Sequence, residues 1–62
     1  MKLKLRAKRV EKDFTQEQLA KALGVSTATY NRYEIGRTEM TQSTINRLLT
    51  ILECKYEDIF LD

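Results

Sequence analysis

Hydrophobic residues between positions 15 and 35 repeat at helical intervals on both sides of a glycine. Leu19, Ala20 and Leu23 are spaced as one face of an amphipathic helix, and Tyr30 and Tyr33 repeat three apart beyond the glycine at position 24. Glycine adopts a positive φ without a Cβ clash, so it can end one helix and admit a sharp turn into the next. The pattern predicts a helix, a tight turn and a second helix over about 16–35.

Polar residues stand at the expected ends of these two helices. Thr15 and Gln18 have the T-x-x-Q spacing of a capping box, which predicts that the first of the two begins at residue 16. Ser26 offers an N-cap hydroxyl to the next helix, which is expected to run to about residue 35 and to end at Gly36. Each boundary therefore has a local chemical cause.

The residues before this segment predict another helix over about Lys2–Lys12. Its inward-facing positions are predicted to be Leu3, Ala7 and Val10, with Leu5 as a further candidate. Asp13 follows, and aspartate is one of the few residues besides glycine that tolerate a left-handed backbone. A corner is therefore expected at residues 13 and 14.

The C-terminal third carries a further apolar stripe. Thr41 is expected to cap a helix whose inward residues are Ile45, Leu48, Leu49 and Leu52. A short last helix from about Tyr56 is expected to contribute Ile59 and Phe60. These apolar residues are predicted to fill the core rather than to form a binding site.

Four features together resemble a known family: the segment TQEQLAKALGVS at 15–26, Arg9, the segment YEIG at 33–36, and the late segment TINRLLTILECKYEDIF at 44–60. From about Leu5 to Phe60 the chain resembles the Cro and phage-repressor type of helix-turn-helix domain, the XRE family. The resemblance implies an all-α fold, a compact five-helix bundle of the lambda-repressor-like type, in one domain over 1–62. Asp13 and Glu53 stand where the family has glycine, and Gln42 stands where it tends to be apolar, so helix four is expected to end differently.

The third helix is predicted to present two unlike faces. At about 100° per residue, one arc of about 140° contains Thr27, Ala28, Asn31, Arg32 and Ile35. Tyr30 and Tyr33 lie opposite and are expected to fill the core rather than to stack on unpaired bases. This helix is the second of the two helices in the helix-turn-helix motif, and in this motif its N-terminal part contacts base edges in the major groove.

Four residues of that arc are predicted to contact bases: Thr27, Ala28, Asn31 and Arg32. The methyl groups of Thr27 and Ala28 suit the thymine C5-methyl, and Asn31 suits adenine. Arg32 suits guanine, with a phosphate as its other expected partner. The structural alternative for Thr27 is a polar first-turn residue beside the Ser26 cap.

The resemblance also implies contacts to the DNA backbone. They fall on Gln16, Thr15, Arg9, Arg37, Thr38, Asn46 and Arg47. It further implies a partly buried ion pair between Arg9 and Glu34, which would join the first and third helices. Ile35 stands where many relatives have a polar residue, so no phosphate contact is carried onto it.

Charge is distributed unevenly along the chain, whose net charge is +2. Six of the eleven basic residues lie in the first twelve positions: Lys2, Lys4, Arg6, Lys8, Arg9 and Lys12. The last ten positions hold Glu53, Glu57, Asp58 and Asp62 against Lys55. A positive end is therefore expected, suited to phosphate, although a lysine-rich helix face is more often only solvated surface.

Composition limits the other functions. Cys54 is the one cysteine and histidine is absent, so neither an internal disulfide nor a zinc site is expected, and Cys54 is predicted to be a small core residue. No cofactor, metal or small-molecule ligand is expected, and no nucleophile and base suggest an enzyme. Without a membrane segment or a secretory signal, the protein is expected in the cytoplasm, associated with the nucleoid.

The sequence thus predicts a regulator, in particular a repressor, that reads a pseudo-palindromic operator in double-stranded DNA. A homodimer, at least on DNA, is expected through the C-terminal apolar residues Ile59, Phe60 and Leu61. The alternative is an antitoxin or adaptor whose main partner is a protein. Within the DNA-binding class, a phage repressor and a controller of a restriction-modification operon remain equally compatible with these residues.

Overall fold

Residues 2–61, with the side chains of residues 3–60, are described by a computed structural model. Within them the chain forms five helices and one two-stranded antiparallel sheet. The elements are β1 (Lys2–Leu3), α1 (Leu5–Glu11), α2 (Gln16–Leu23), α3 (Thr27–Glu34), α4 (Gln42–Leu52), α5 (Tyr56–Ile59) and β2 (Phe60–Leu61). The Cα atoms span 27 × 23 × 19 Å. The five-helix fold agrees with the prediction, and the small sheet is an addition to it.

The side-chain caps of α2, α3 and α4 are confirmed. The Thr15 hydroxyl accepts a hydrogen bond from the Gln18 N–H while the Gln18 side chain accepts one from the Thr15 N–H, which completes the capping box. Ser26 caps α3 and Thr41 caps α4 through the N–H groups three residues on. These bonds satisfy backbone donors that no helical carbonyl reaches.

The turns depend on four residues with positive φ. Gly24 (φ 76°) is the C-cap residue of α2. Gly36 (φ 77°) directly follows Ile35, the C-cap residue of α3. Asp13 (φ 63°) makes the corner between α1 and α2, as predicted. Glu53 (φ 51°) ends α4 in the left-handed conformation that glycine would provide. The expectation that α4 ends in a different way is therefore wrong: glutamate adopts the same backbone conformation at a cost in strain.

The core lies where α2 and α3 pack on each other and on α4. It consists of Leu5, Leu19, Ala20, Leu23, Tyr30, Tyr33, Leu48, Leu52 and Ile59. The two tyrosine rings meet edge to face with their centroids 6.4 Å apart, a favourable geometry for aromatic pairs. The prediction that both tyrosines fill the core is confirmed.

The predicted inward face of the first helix is confirmed for Leu5, and Leu3 packs against the core from β1, but the prediction is wrong for Ala7 and Val10. Ala7 and Val10 are exposed, Val10 to 56%. The buried side of this seven-residue helix carries Leu5, and four residues later the half-buried Arg9. Residues four apart share a helix face, so the direction in which Leu5 and Arg9 point leaves Val10 on the solvent side.

The predicted start of α1 at Lys2 is also wrong. Lys2 pairs with Leu61 and Leu3 pairs with Phe60 in the antiparallel sheet, and the Lys4 N–H donates to the Ile59 carbonyl (2.8 Å). Once these backbone groups bond to the C-terminal strand, they are extended, and the helix begins only at Leu5. The sheet therefore joins the two ends of the chain.

The expected dimer contact at the C-terminus needs correction as well. Ile59 is wholly buried in the core of its own chain, so it cannot touch a partner. Phe60 is half-buried and stacks on Tyr56 at a centroid distance of 4.5 Å. The side chain of Leu61 lies outside the described side chains. Burial therefore removes Ile59 from the expected contact, which stays a prediction for Phe60 and Leu61.

Cys54 is half-buried and packs against the core. Burial, together with the nearby charge of Asp58, raises the pKa of its thiol. A protonated thiol is a poor nucleophile, so this environment favours the predicted structural role. No helix within residues 2–61 has the length and apolar character needed to cross a bilayer.

Candidate nucleic-acid interface

The polar side of α3 faces solvent. Thr27, Ala28, Asn31, Arg32 and Ile35 are all exposed, whereas Tyr30 and Tyr33 on the opposite side are buried. The tyrosines fix the rotation of α3 about its own axis because both must lie in the core. The structure thus brings all four predicted base-contacting residues onto one exposed surface. We name this surface the α3 face; it consists of Thr27, Ala28, Asn31, Arg32 and Ile35.

The N-terminal end of α2 is connected to the C-terminal end of α3. The Gln16 side-chain N–H donates to Glu34 Oε1 (3.0 Å). A primary amide has two N–H donors, so Gln16 can hold Glu34 and offer its second donor to another acceptor. Thr15 is exposed beside it. Two of the predicted backbone-contacting residues therefore lie together at one helix end.

The ion pair implied by the resemblance is present. Arg9 Nε donates to Glu34 Oε2 at 2.6 Å, and the Arg9 Nη1 donates to the Phe14 carbonyl at 2.7 Å. The Arg9 and Glu34 side chains are only 12% and 4% exposed. The guanidinium therefore joins α1, the corner at residue 14 and α3, a largely internal role that leaves little of Arg9 accessible to a ligand.

The charge of Glu34 is maintained by its neighbours. Burial by itself raises the pKa of Glu34, but the hydrogen bonds and charge of Arg9, with the bond from Gln16, outweigh it and hold that pKa below its ordinary value. Tyr30 lies beside the same carboxylate. Its buried hydroxyl forms no hydrogen bond with any atom of the described residues. Burial, and then the charge of Glu34, raise the pKa of Tyr30 far above its ordinary range.

The end of α3 at Gly36, which the sequence predicts, takes the form of a Schellman motif. The Gly36 N–H donates to the Tyr33 carbonyl (3.3 Å), and the Arg37 N–H donates to the Arg32 carbonyl (2.9 Å). This motif commonly brings two apolar side chains together at the positions that Arg32 and Arg37 occupy here. The sequence signal for the motif is Gly36 at the position after the C-cap, where a positive φ is required. Neither arginine pairs with a carboxylate within residues 3–60.

The other predicted backbone contacts are more scattered. Arg37 and Thr38 are exposed in the loop after α3. Arg47 instead donates to the Leu23 carbonyl (3.4 Å) at the C-terminal end of α2. Asn46 and Arg47 line a surface depression together with Ala22 of α2. That end lies about 10 Å along α2 from Gln16, given a rise of about 1.5 Å per residue. The structure does not bring Asn46 and Arg47 together with the α2 N-terminus.

The expected positive end of the domain is partly offset by acidic side chains. Because β1 pairs with β2 and α1 packs near α5, the basic start of the chain lies beside its acidic end. Lys4 and Lys8 share one depression with Glu57 and Asp58. The hydrogen bond to Glu11, reinforced by the charge of Asp58, raises the pKa of Lys8. Asp62 lies outside the described residues. Much of the N-terminal charge is therefore matched within the domain.

Comparison with known proteins identifies the family. A helix-turn-helix family model matches residues 5–59. The fold is similar to that of the clp gene regulator ClgR from Corynebacterium glutamicum, with a TM-score of 0.80 and 30% sequence identity over 87% of this chain. The match covers 57% of the ClgR chain, so this chain spans little more than half of that protein. None of the curated proteins matches the chain. The chain belongs to the Cro and phage-repressor (XRE) family of helix-turn-helix domains.

Proposed function

We propose that this chain is a DNA-binding transcriptional regulator, and that it reads a specific operator by inserting the α3 face into the major groove of double-stranded DNA. The observation that carries the proposal is the exposure of Thr27, Ala28, Asn31 and Arg32 opposite two buried tyrosines. A helix whose polar side is uncovered and whose apolar side is anchored can enter a groove without rearranging the core. Occupancy of a promoter operator excludes polymerase, so repression is the proposed mode of regulation.

Two kinds of contact are assigned on this surface. Thr27, Ala28 and Asn31 lie toward the N-terminal part of α3, the part that reaches base edges in this motif. The Schellman motif joins the backbones of Arg32 and Arg37, and both exposed side chains lack a carboxylate partner within residues 3–60. We therefore assign these two arginines to phosphates of the DNA backbone.

The N-terminus of α2 supplies a second phosphate contact in this proposal. The Gln16 amide is held by Glu34, and backbone N–H groups at the start of a helix attract anions. Arg9 supports this contact from inside, since it fixes the Glu34 carboxylate that orients Gln16. Arg47 and Asn46 are assigned no direct contact here, because Arg47 is engaged at the opposite end of α2.

A homodimer on the operator is part of the proposal. Half-sites for such motifs lie about 34 Å apart on one face of the duplex. The Cα extents of 27 × 23 × 19 Å allow two copies to bind adjacent half-sites without overlap and close enough to touch. A single module also buries less surface than tight operator binding requires.

Selection from randomised duplexes, followed by titration of three variants, tests the assignment. Asn31→Ala is expected to relax preference at one base position, with a loss of about 1–3 kcal/mol on the selected duplex. Arg37→Ala is expected to weaken all duplexes alike and to reduce the salt slope by about 1 per bound copy, that is by about 2 for the dimer. Lys55→Ala is the matched control, since this exposed cation lies at the start of α5, away from the α3 face. Identical behaviour of Asn31→Ala and Arg37→Ala would contradict the division into base and phosphate contacts.

The salt dependence and the stoichiometry test the rest of the proposal. With two phosphate-binding arginines per domain, a dimer is expected to show a slope of about −4 in log K against log salt. A much steeper slope would mean that the N-terminal lysines also bind phosphate. Sedimentation on duplexes with one and with two half-sites should give one and two copies bound, and a single copy on the palindrome would exclude the dimer.

A further inference from the structure

Ile35 is a large apolar residue on an otherwise polar surface. It forms the C-terminal cap of α3 and is 58% exposed, as much as Val10 on α1. Single exposed apolar residues are common on protein surfaces. Exposure alone therefore gives Ile35 no role, and only its position can assign one.

That position is inside the α3 face. At about 100° per residue, Ile35 lies roughly 80° from Thr27, between Asn31 at about 40° and Arg32 at about 140°. It follows Asn31 by four residues, so the two side chains are neighbours on the same side of the helix. A ligand that covers Asn31 and Arg32 must also cover Ile35.

The backbone around Ile35 is well fixed. Its own N–H donates to the Asn31 carbonyl (3.1 Å), and the Schellman bonds of Gly36 and Arg37 close the turn immediately after it. Isoleucine branches at Cβ, which restricts its χ1 angle. Ile35 therefore presents an apolar surface of nearly fixed position between polar neighbours.

The chemistry of the major groove limits what such a surface can recognise. An isoleucine neither donates nor accepts hydrogen bonds, and the apolar group that base edges expose in the major groove is the C5-methyl of thymine. We propose that Ile35 is a specificity-determining residue that packs on a thymine methyl in each half-site. This inference rests on the proposed function and adds a contact at the C-terminal end of α3, away from the Thr27 end.

Thymine-to-uracil substitution tests the inference, because it removes only the methyl group. In the selected duplex each thymine is replaced by uracil in turn, and binding of the unmodified full chain is titrated. We expect one position in each half-site, besides any thymine contacted by Thr27 or Ala28, at which uracil weakens binding about fourfold, the value for one buried methyl. Ile35→Ala should weaken binding to the thymine duplex and should abolish the effect of uracil at that position alone.

Two variants serve as controls. Val10→Ala removes an equally exposed apolar side chain from α1 and should leave both affinity and uracil sensitivity unchanged. Ile35→Val keeps the branched apolar surface and should retain the uracil effect. Circular dichroism melting of each variant checks that folding is unaffected, as expected for exposed side chains.

The outcomes separate this inference from the function on which it rests. If Ile35→Ala binds like the unmodified protein, or keeps every uracil effect, the thymine contact is excluded while DNA reading stands. If Ile35→Ala loses only cooperative binding of the second copy, Ile35 touches a partner and the inference fails. If no duplex is selected at all, the proposed function and the inference both fail.

Discussion

Substitution of the Arg9–Glu34 pair is the most demanding test of how this small domain is held together. The Glu34 side chain is 4% exposed and that of Arg9 12%, and their charged atoms lie 2.6 Å apart. In Glu34→Leu the guanidinium stays largely buried with its charge unmatched. In Arg9→Met the carboxylate is left in the same condition, and the Phe14 carbonyl also loses its donor.

The magnitude follows from the burial of the pair. Removal of one partner of a buried ion pair costs about 3–5 kcal/mol, because the remaining charge has lost both water and its counterion. A domain of 62 residues at roughly 0.05–0.15 kcal/mol per residue has a free energy of unfolding of about 3–9 kcal/mol. Either single substitution should therefore remove a third or more of the stability.

The double variant Arg9→Met/Glu34→Leu should be more stable than either single variant. It leaves no buried charge, and replacement of such pairs by apolar residues is often neutral. The orphaned Phe14 carbonyl and Gln16 amide prevent full recovery, so we expect a coupling energy of about 2–3 kcal/mol. Urea denaturation of all four proteins, followed by circular dichroism at 222 nm, completes the double-mutant cycle.

Glu11→Ala provides the comparison, since it breaks the exposed Lys8–Glu11 pair on α1. It should leave the urea midpoint essentially unchanged, as solvent-exposed pairs contribute little. The reasoning would be refuted if Glu34→Leu were no more destabilising than Glu11→Ala. It would also be refuted if the two single losses simply added in the double variant.

Three further predictions concern the same network and the turns. Because the pKa of Glu34 is held below its ordinary value of 4.5 in the folded state, its contribution to stability is present above that pH and is lost as the pH falls through the folded-state pKa. Urea titrations between pH 3 and 6 should therefore show a smaller loss of stability on acidification in Glu34→Gln. Tyr30→Phe removes a buried hydroxyl that has no partner in the described residues, so the free energy of unfolding should stay equal or rise by about 1 kcal/mol. A loss of stability would instead reveal a hydrogen bond through buried water. Glu53→Gly should stabilise the domain by about 0.5–1 kcal/mol, since relief of the left-handed strain exceeds the extra entropy of glycine in the unfolded chain. A lower melting temperature would contradict that balance.

The sequence by itself determined the helix boundaries that depend on neighbouring residues. The caps at Thr15, Ser26 and Thr41 use hydrogen bonds that span three residues. Gly24 ends α2 through its own φ angle. Such causes act within one turn of helix, so residue type and spacing reveal them. The outward rotation of α3 could be predicted for the same reason, since Tyr30 and Tyr33 select the buried side.

Tertiary structure alone decided the features that depend on contacts distant in sequence. Leu3 is extended because Phe60 pairs with it, and no pattern within residues 2–12 contains that information. The same closure places Lys8 near Asp58 and so offsets part of the positive charge that the sequence predicts at this end. The sequence leaves Ile59 available to a partner, whereas the fold buries it. In the first two cases the partner residue lies fifty or more positions away, and a local pattern contains no information about it.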